Sequence, residues 1–270
     1  LGIITAASLR LVAPPARSGV ALMVVNSPAD AVNLLAMAQR RLAEAISAFE
    51  LISGMGLRFL AQTMPEVRQP YADPPEWLVL IDLGLSGDPD AALESLFEEA
   101  VEAGLVVDGL IAQSEAQRAQ FWHMRESIPH ANRGIGPISS HDISVPIADI
   151  PVFLERAEAE IARFGGLRIN AFGHMGDGNL HYNIYPPEGQ RRRDFIHLRP
   201  EVAHCVYEVV ASLQGSASAE HGIGRLKVAD LERYGDPVGL EVMHGIKALL
   251  DPHGILNPGA VLNPRPVAAE

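Results

Sequence analysis

Apolar β-type runs alternate with amphipathic helix patterns along the chain, and this alternation limits the possible folds more than any other feature. Short strands are indicated at residues 20–26, 77–83 and 107–113. Helices follow the first two strands at Ser27-Pro28 and Asp88-Pro89, because each pair supplies an N-cap followed by proline at the first helical position. The pattern predicts an α+β fold: a ferredoxin-like antiparallel or mixed sheet with helices packed on it, followed by a C-terminal helical segment.

The ends of two helices in the first half of the chain can be predicted from glycine and proline positions. Leucine and alanine repeats extend the first helix to about Ser47, and residues 53–56 (SGMG) predict a glycine-rich break. A polar helix begins near Ser114 and is expected to end at Pro129, because proline lacks the backbone N–H and clashes with the preceding turn.

Charge and cysteine content exclude several classes of protein. The chain has 270 residues with 21 basic and 33 acidic side chains, a net charge of −12, which argues against nucleic-acid binding through lysine and arginine. No apolar stretch approaches the roughly 18 residues that cross a bilayer. Cys205 is the single cysteine, so an internal disulfide and a CxxC site are both excluded. We expect a cytoplasmic chain with no nucleic-acid partner and no transmembrane segment.

Two histidines flank a turn signal in the second half of the chain. Asp177-Gly178 is typical of a two-residue hairpin turn, which would place His174 directly opposite His181. Directly opposed residues have Cβ atoms about 5 Å apart and point to one face, so both imidazoles could bind one ion. Asn183 lies two residues beyond His181 and shares that face. The hairpin therefore offers two ring nitrogens and an amide oxygen from one surface.

A further ligand is predicted in a loop of small residues. Glu220-His221 lies within residues 215–224, which are rich in glycine, serine and alanine and allow close backbone approach. We assign the carboxylate to the metal and the imidazole to proton transfer, because imidazole is a suitable general base at neutral pH. A purely structural role for the histidines is the alternative that the residues alone leave open.

Three segments together resemble a known family. Residues 172–181 (FGHMGDGNLH), 218–224 (SAEHGIG) and 251–259 (DPHGILNPG) resemble, in order, signatures of the FAD-linked oxidase C-terminal domain. That domain is the substrate-binding cap of D-2-hydroxyacid dehydrogenases of the D-2-hydroxyglutarate, D-lactate and glycolate type. The resemblance implies oxidation of a D-2-hydroxyacid to the 2-oxoacid, with hydride transfer to flavin N5.

The resemblance also implies a role for each candidate residue. His174, His181 and Glu220 would hold a divalent metal, usually zinc, with Asn183 nearby as a substrate-binding residue. His221 would take the proton of the substrate hydroxyl as the general base, while the metal polarises that hydroxyl.

Two further residues carry over from other segments. Residues 122–126 (WHMRE) are similar to a Trp-x-x-Arg-Glu segment of the family, so Arg125 would bind the substrate carboxylate. Asn257, in the third segment, would contact the FAD cofactor.

The resemblance divides the chain into three parts. Residues 1–14 would be the end of an N-terminal FAD-binding domain, because the chain begins without methionine and its start reads as the inside of a longer polypeptide. Residues 15–214 would form the substrate-binding cap with the metal hairpin. Residues 215–270 would form the Glu-His loop and a helical segment that packs back on the FAD domain. No glycine-rich dinucleotide fingerprint is found, so FAD would come from another domain or subunit, and the chain alone is expected to be inactive.

Two departures from the family pattern bear on the substrate. The 2-hydroxyglutarate enzymes commonly carry lysine where this chain has Ser140, and a substrate-contacting threonine where it has Pro129. Both changes weaken the prediction of a dicarboxylate substrate, and the particular 2-hydroxyacid and the electron acceptor stay open. The alternatives are an alkyl-dihydroxyacetone-phosphate-synthase-like flavin enzyme and a non-catalytic module that binds metal or hydroxyacid. A homodimer is also compatible with the sequence.

Overall fold

The computed structural model describes residues 2–264, which form one seven-stranded sheet covered by helices. The strands are β1 (Arg17–Val25), β2 (Ile46–Ser53), β3 (Trp77–Leu85), β4 (Val106–Ile111), β5 (Ser139–Ser144), β6 (Arg168–His174) and β7 (Asn179–Tyr185). The helices are α1 (Pro28–Leu42), α2 (Gly54–Thr63), α3 (Pro89–Glu102), α4 (Glu115–Ile135), α5 (Ile150–Ala162), α6 (Arg192–Phe195), α7 (Arg199–Ser212), α8 (Val228–Tyr234) and α9 (Pro237–Leu250).

The strand order confirms the predicted α+β fold. The sheet runs β4-β1-β3-β2-β6-β7-β5, and its first four strands have the 4-1-3-2 order of a ferredoxin-like unit. All pairings between these strands are antiparallel, so the sheet is antiparallel rather than mixed. Strand β6 extends the unit by pairing with β2, which joins the predicted metal hairpin to the ferredoxin-like half.

Helices cover the two faces of the sheet unequally. On one face α1, α3, α5 and α7 bury a long apolar core that includes Leu34, Leu96, Phe153 and Val206. On the other face α2 and α4 form a smaller core around Phe59. Polar side chains of the strands lie on this second face beside the smaller core, and they build the candidate site.

The predicted glycine-rich break is wrong, because the chain there forms a strand and a helix. Strand β2 (Ile46–Ser53) begins where the first helix was predicted to end, near Ser47, and it includes the first residue of the predicted break. Helix α2 then begins at Gly54. A Cβ at Gly54 would lie 2.4 Å from the carbonyl oxygen of Pro75. Glycine is therefore present for close backbone approach at the start of the helix, and it does not interrupt the chain.

Helix α4 also differs from its predicted length. It continues through Pro129 to Ile135, seven residues beyond Ile128. Ile128 and Ala131 are fully buried on either side of the proline. A proline inside a helix removes one hydrogen bond, and the burial of this helix against the sheet offsets that loss.

The C-terminal part lies at the edge of the molecule. Helix α9 has no fully buried residue and exposes Val238, Val242 and Leu249. Among the helices between residues 2 and 264, none combines the length and the hydropathy that a transmembrane span requires. Leu1 of the predicted N-terminal junction and residues 265–270 of the predicted C-terminal segment lie outside the described residues.

Candidate functional site

The β6–β7 hairpin carries both histidines on one face, in a register that differs from the prediction. Phe172 lies opposite His181, and His174 instead pairs with Glu50 of β2. The turn is longer than two residues, because Met175–Asp177 form a 3-10 turn. Gly178 ends this turn in the left-handed conformation, with φ 81°. The shift is two residues, an even number, so the two histidines keep a common face. Their ring centroids are 6.0 Å apart.

A buried carboxylate orients His174. Glu50 is 2% exposed, and its Oε1 lies 2.6 Å from His174 Nδ1. On the other side Arg125 Nε donates to Oε2 of Glu50 at 2.8 Å. With Nδ1–H directed at the carboxylate, the imidazole presents its Nε2 lone pair to the open side. Carboxylates fix metal-binding histidines in this way.

Glu220 brings the remaining groups together. Its Oε1 lies 3.3 Å from His181 Nε2, 3.6 Å from His221 Nε2 and 3.7 Å from His174 Nε2. Glu220 and His221 come from the irregular segment between α7 and α8, whereas the other two come from the hairpin. The Glu220 and His221 side chains are 44% and 67% exposed, so a small molecule can reach the cluster. The structure therefore brings these four predicted residues into one site.

The distances from Glu220 Oε1 to the three histidine nitrogens match the spacing of ligand atoms around a tetrahedral metal ion. Ligand atoms bound to zinc at about 2.0–2.1 Å lie roughly 3.4 Å from one another, and the three distances from Glu220 Oε1 are close to that value. A grouping whose four ligand atoms all lie within 4.8 Å of one another consists of Asp142, His181, Glu220 and His221, so it contains Asp142 in place of His174. Both groupings contain the predicted ligands His181 and Glu220 together with His221, and they differ in whether His174 or Asp142 is the fourth residue.

The site shifts the pKa values of its own groups. Burial, together with the charge of Arg125, lowers the pKa of His181 and favours the neutral form that binds metals. The hydrogen bond to Glu50 raises the pKa of His174, although burial acts in the opposite direction. Burial tends to raise the pKa of Glu50, but the hydrogen bond from His174 and the charge of Arg125 lower it overall. A metal ion at His174 must therefore compete with a proton.

The other predicted residues lie at different distances from this cluster. Arg125 is buried and reaches Glu50, as described. Asn183 is 8% exposed, on the same face of β7 as His181, with Ser140 opposite it on β5. Asn257 lies in an exposed loop after α9, where its Oδ1 accepts a hydrogen bond from Arg225 at 2.8 Å. The structure does not bring Asn257 into contact with the cluster.

Sequence reasoning missed two acidic residues that support the site. Glu50 is a lone acid within the apolar run Phe49–Ile52, and Asp142 lies inside strand β5 between His141 and Ile143. An acidic side chain that alternation directs into a sheet face needs a partner there, because burial of an unpaired charge is costly. An acidic residue at a buried strand position was therefore the sequence signal that could have identified Glu50 and Asp142.

The family comparison matches most of the chain. The family described as "FAD linked oxidases, C-terminal domain" matches residues 14–261. A D-2-hydroxyglutarate dehydrogenase of Xanthomonas citri pv. viticola is 34% identical over 259 residues, which are 95% of this chain and 54% of that protein. The mitochondrial D-2-hydroxyglutarate dehydrogenase of Arabidopsis thaliana is 33% identical over 260 residues, 95% of this chain and 45% of that protein. The chain thus spans about half the length of these curated relatives.

Solved structures share the fold at low identity. Crystalline p-cresol methylhydroxylase matches with a TM-score of 0.64 and 12% identity, over 92% of this chain and 53% of that chain. An alkyldihydroxyacetonephosphate synthase matches with a TM-score of 0.54 and 13% identity, over 92% of this chain and 44% of that chain. These similarities confirm the fold, and they do not distinguish between the reactions of the two enzymes.

Proposed function

The chain belongs to the family of FAD-linked oxidase C-terminal domains, and we propose that it is the substrate- and metal-binding half of an FAD-dependent D-2-hydroxyacid dehydrogenase. The observation that carries the proposal is the position of Glu220 Oε1, 3.3–3.7 Å from the Nε2 atoms of three histidines. The curated relatives at 33–34% identity are named D-2-hydroxyglutarate dehydrogenases, which supports the same class of substrate.

The metal would be held by His174, His181 and Glu220. A divalent ion at this position, for which zinc suits the nitrogen and carboxylate donors, would supply Lewis-acid polarisation of the substrate hydroxyl. This assignment leaves His221 free of the metal. Its exposed imidazole can then take the hydroxyl proton, the step that accompanies removal of hydride from the α-carbon. Bound FAD would supply the hydride acceptor at N5.

Arg125 is the proposed partner of the substrate carboxylate. Its Nη2 lies 2.7 Å from Glu50 Oε2 but is not aligned for a hydrogen bond, and within the described residues this buried nitrogen has no other acceptor. A guanidinium group has five N–H donors, so the contact with Glu50 leaves donors for a carboxylate ligand. Asn183, on the same face as His181, is the second proposed substrate contact.

The FAD-binding domain or subunit would cover the C-terminal region. Helix α9 exposes an apolar face that includes Val238, Val242 and Ile246, and nothing in the described part of the chain buries it. Asn257, in the loop that follows α9, is the residue we assign to the FAD side. The cytoplasmic location stays a prediction, because some relatives are named as mitochondrial proteins.

Metal content tests the first half of the proposal. Elemental analysis of the purified chain after incubation with zinc should give about one zinc per wild-type chain and almost none in His174→Ala or Glu220→Ala. His197→Ala is the matched control, because His197 is exposed and lies outside the cluster. Zinc retained in both site variants, or absent from the wild-type chain, would contradict the assignment.

Flavin reduction tests the second half. The zinc-loaded chain is mixed with the FAD-loaded N-terminal half of the Xanthomonas relative, and bleaching of flavin absorbance is followed after addition of D- or L-2-hydroxyacids. D-lactate, D-2-hydroxyglutarate and glycolate are compared to identify the substrate. We expect bleaching by a D-acid or by the achiral glycolate but not by an L-acid, and a loss of about 100-fold or more in His221→Gln. Zinc and hydroxyacid binding without bleaching would favour a non-catalytic binding module.

A further inference from the structure

Asp142 is a buried carboxylate that contacts the loop carrying Glu220 and His221. It lies on β5 directly opposite His181 and is 6% exposed. Its Oδ2 accepts hydrogen bonds from three consecutive backbone N–H groups: His221 at 2.9 Å, Glu220 at 3.2 Å and Ala219 at 3.2 Å. Three amides on one oxygen form a cradle for a negative charge.

These hydrogen bonds connect the Glu220-His221 part of the loop to the sheet. Within the described residues, every hydrogen bond formed by the backbone N–H groups of residues 219–221 ends on Asp142. The preceding part of the loop is attached separately, through reciprocal backbone hydrogen bonds between Ser216 and Ser144. The N–H of Ala219 also donates to the backbone carbonyl of Asp142 at 3.3 Å, a bond that substitution of the side chain retains. Loss of the Asp142 carboxylate would therefore release the backbone of Glu220 and His221 while Ala219 and the base of the loop stay attached.

Asp142 also contacts the hairpin side of the site. Its Oδ1 accepts a hydrogen bond from Asn179 Nδ2 at 3.0 Å and lies 4.0 Å from His181 Nδ1. One carboxylate thus connects the strand that carries His181 with the loop that carries Glu220. Across these two connections, His181 Nε2 and Glu220 Oε1 lie 3.3 Å apart.

Direct metal ligation is the competing role for Asp142, because its oxygen belongs to the group of four ligand atoms described above. A carboxylate has about four lone-pair sites. Three N–H donors already converge on Oδ2, and Asn179 Nδ2 occupies Oδ1. The donors that surround Asp142 come from the protein, whereas Glu220 directs a free carboxylate oxygen at the histidines.

We propose that Asp142 is a positioning residue that holds Glu220 and His221 at the site through the backbone amides of residues 219–221. The inference deepens the proposed function, since it assigns a residue that prepares the metal and general-base groups without touching the metal or the substrate. It also explains why an acidic residue is buried on a strand beside two histidines.

Hydrogen exchange in the metal-free chain tests the contact itself. In Asp142→Ala we expect the backbone amides of Glu220 and His221 to exchange at least about tenfold faster than in the wild-type chain, because they bond only to the carboxylate. Asp142→Asn should retain protection, because its Oδ1 can face the three amides. Asn179 can turn its amide to match, since its own Oδ1 is buried without a hydrogen-bond partner in the described structure. Unchanged exchange in Asp142→Ala would overturn the proposal.

Zinc affinity tests the consequence for the site. By competition with a chromophoric chelator, Asp142→Ala should raise the zinc Kd by about tenfold or more, the range seen for residues that support metal ligands. Asp142→Asn should stay within about threefold of the wild-type value. An equal loss in both variants would identify Asp142 as a metal ligand and overturn the positioning role. A wild-type chain that binds no zinc would instead refute the proposed metal site. The hydrogen-exchange experiment would still test the positioning role of Asp142, because it uses the metal-free chain.

Asp251 provides the matched control. It is a buried aspartate that accepts hydrogen bonds from the backbone N–H groups of Ile255 and Leu256, at 3.0 and 2.9 Å, in a different loop. Asp251→Ala should accelerate exchange in that loop and leave both zinc affinity and exchange at residues 219–221 unchanged. If this variant reproduced the effects of Asp142→Ala, general loosening of the fold would explain them and the proposal would fail.

Discussion

Replacement of Glu50 by glutamine should weaken metal binding without removing the side chain's volume. Two donors, Arg125 Nε–H and His174 Nδ1–H, face the two oxygens of Glu50 at 2.8 and 2.6 Å. A glutamine has one acceptor oxygen, so its NH₂ group must face one of these partners. If NH₂ faces Arg125, two donors oppose each other. If it faces His174, the ring must accept at Nδ1 and carry its proton on Nε2, the nitrogen directed at Glu220.

The size of the effect follows from that conflict. Loss of a carboxylate behind a metal-binding histidine costs about 10- to 100-fold in metal affinity, which is about 1.4–2.7 kcal/mol. The free energy of unfolding should also fall, because removal of one partner from a buried ion pair costs about 3–5 kcal/mol and glutamine retains part of the hydrogen bonding. We therefore expect Glu50→Gln to lose about 2 kcal/mol of stability.

Chelator competition and urea unfolding measure the two effects separately. Glu76→Gln is the matched control, because Glu76 pairs with Arg58 on the surface, where its side chain is 75% exposed. Its zinc affinity should be unchanged, and its stability should change by less than about 0.5 kcal/mol. A Glu50→Gln chain that binds zinc within twofold of the wild-type chain would refute the role assigned to Glu50.

Three further predictions test the fold and the specificity of the site. Burial lowers the pKa of His141 to about 4, below its unfolded value near 6.5, so its contribution to stability is complete above pH 6.5 and is lost as the pH falls towards 4. Urea unfolding should lose roughly 2 kcal/mol between pH 7 and pH 5, and His141→Asn should lack this component; equal slopes would contradict it. Gly178→Ala should cost more than about 2 kcal/mol in urea unfolding, because its Cβ would lie 2.2 Å from a carbonyl oxygen, whereas Gly189→Ala has open space and should cost about 1 kcal/mol. Ser140→Lys should raise the affinity of the zinc-loaded chain for D-2-hydroxyglutarate about three- to fivefold relative to D-lactate in calorimetry, the effect of one exposed charge pair; an equal change for both acids would contradict it.

The α+β fold could be predicted from the sequence because most strands and helix starts are encoded in short stretches of neighbouring residues. The N-caps at Ser27 and Asp88 accept the expected backbone hydrogen bonds, from Asp30 and Asp90. Strand β2 was missed because its residues also continue a leucine- and alanine-rich helix pattern, and its burial becomes evident only when β3 and β6 pair with it. Non-local pairing of this kind leaves little trace in a window of sequence.

The candidate site was predicted in part for a geometrical reason. The predicted hairpin register was wrong by two residues, yet His174 and His181 still share a face, because side chains alternate with a period of two. A shift of one residue would have separated them. The partners Glu50 and Asp142 depend on strands far away in sequence, so hairpin spacing could not reveal them.

The exposure of helix α9 has a consequence for how unfolding of the chain should be measured. A helix of 14 residues with no fully buried side chain has little tertiary support, and isolated helices of this length are marginal in water. Both tryptophans of the chain, Trp77 on β3 and Trp122 on α4, lie in the sheet and the helix packed on it. Far-ultraviolet circular dichroism should therefore begin to change at lower urea concentrations than tryptophan fluorescence does. Fluorescence is the signal that reports the cooperative unfolding of the sheet.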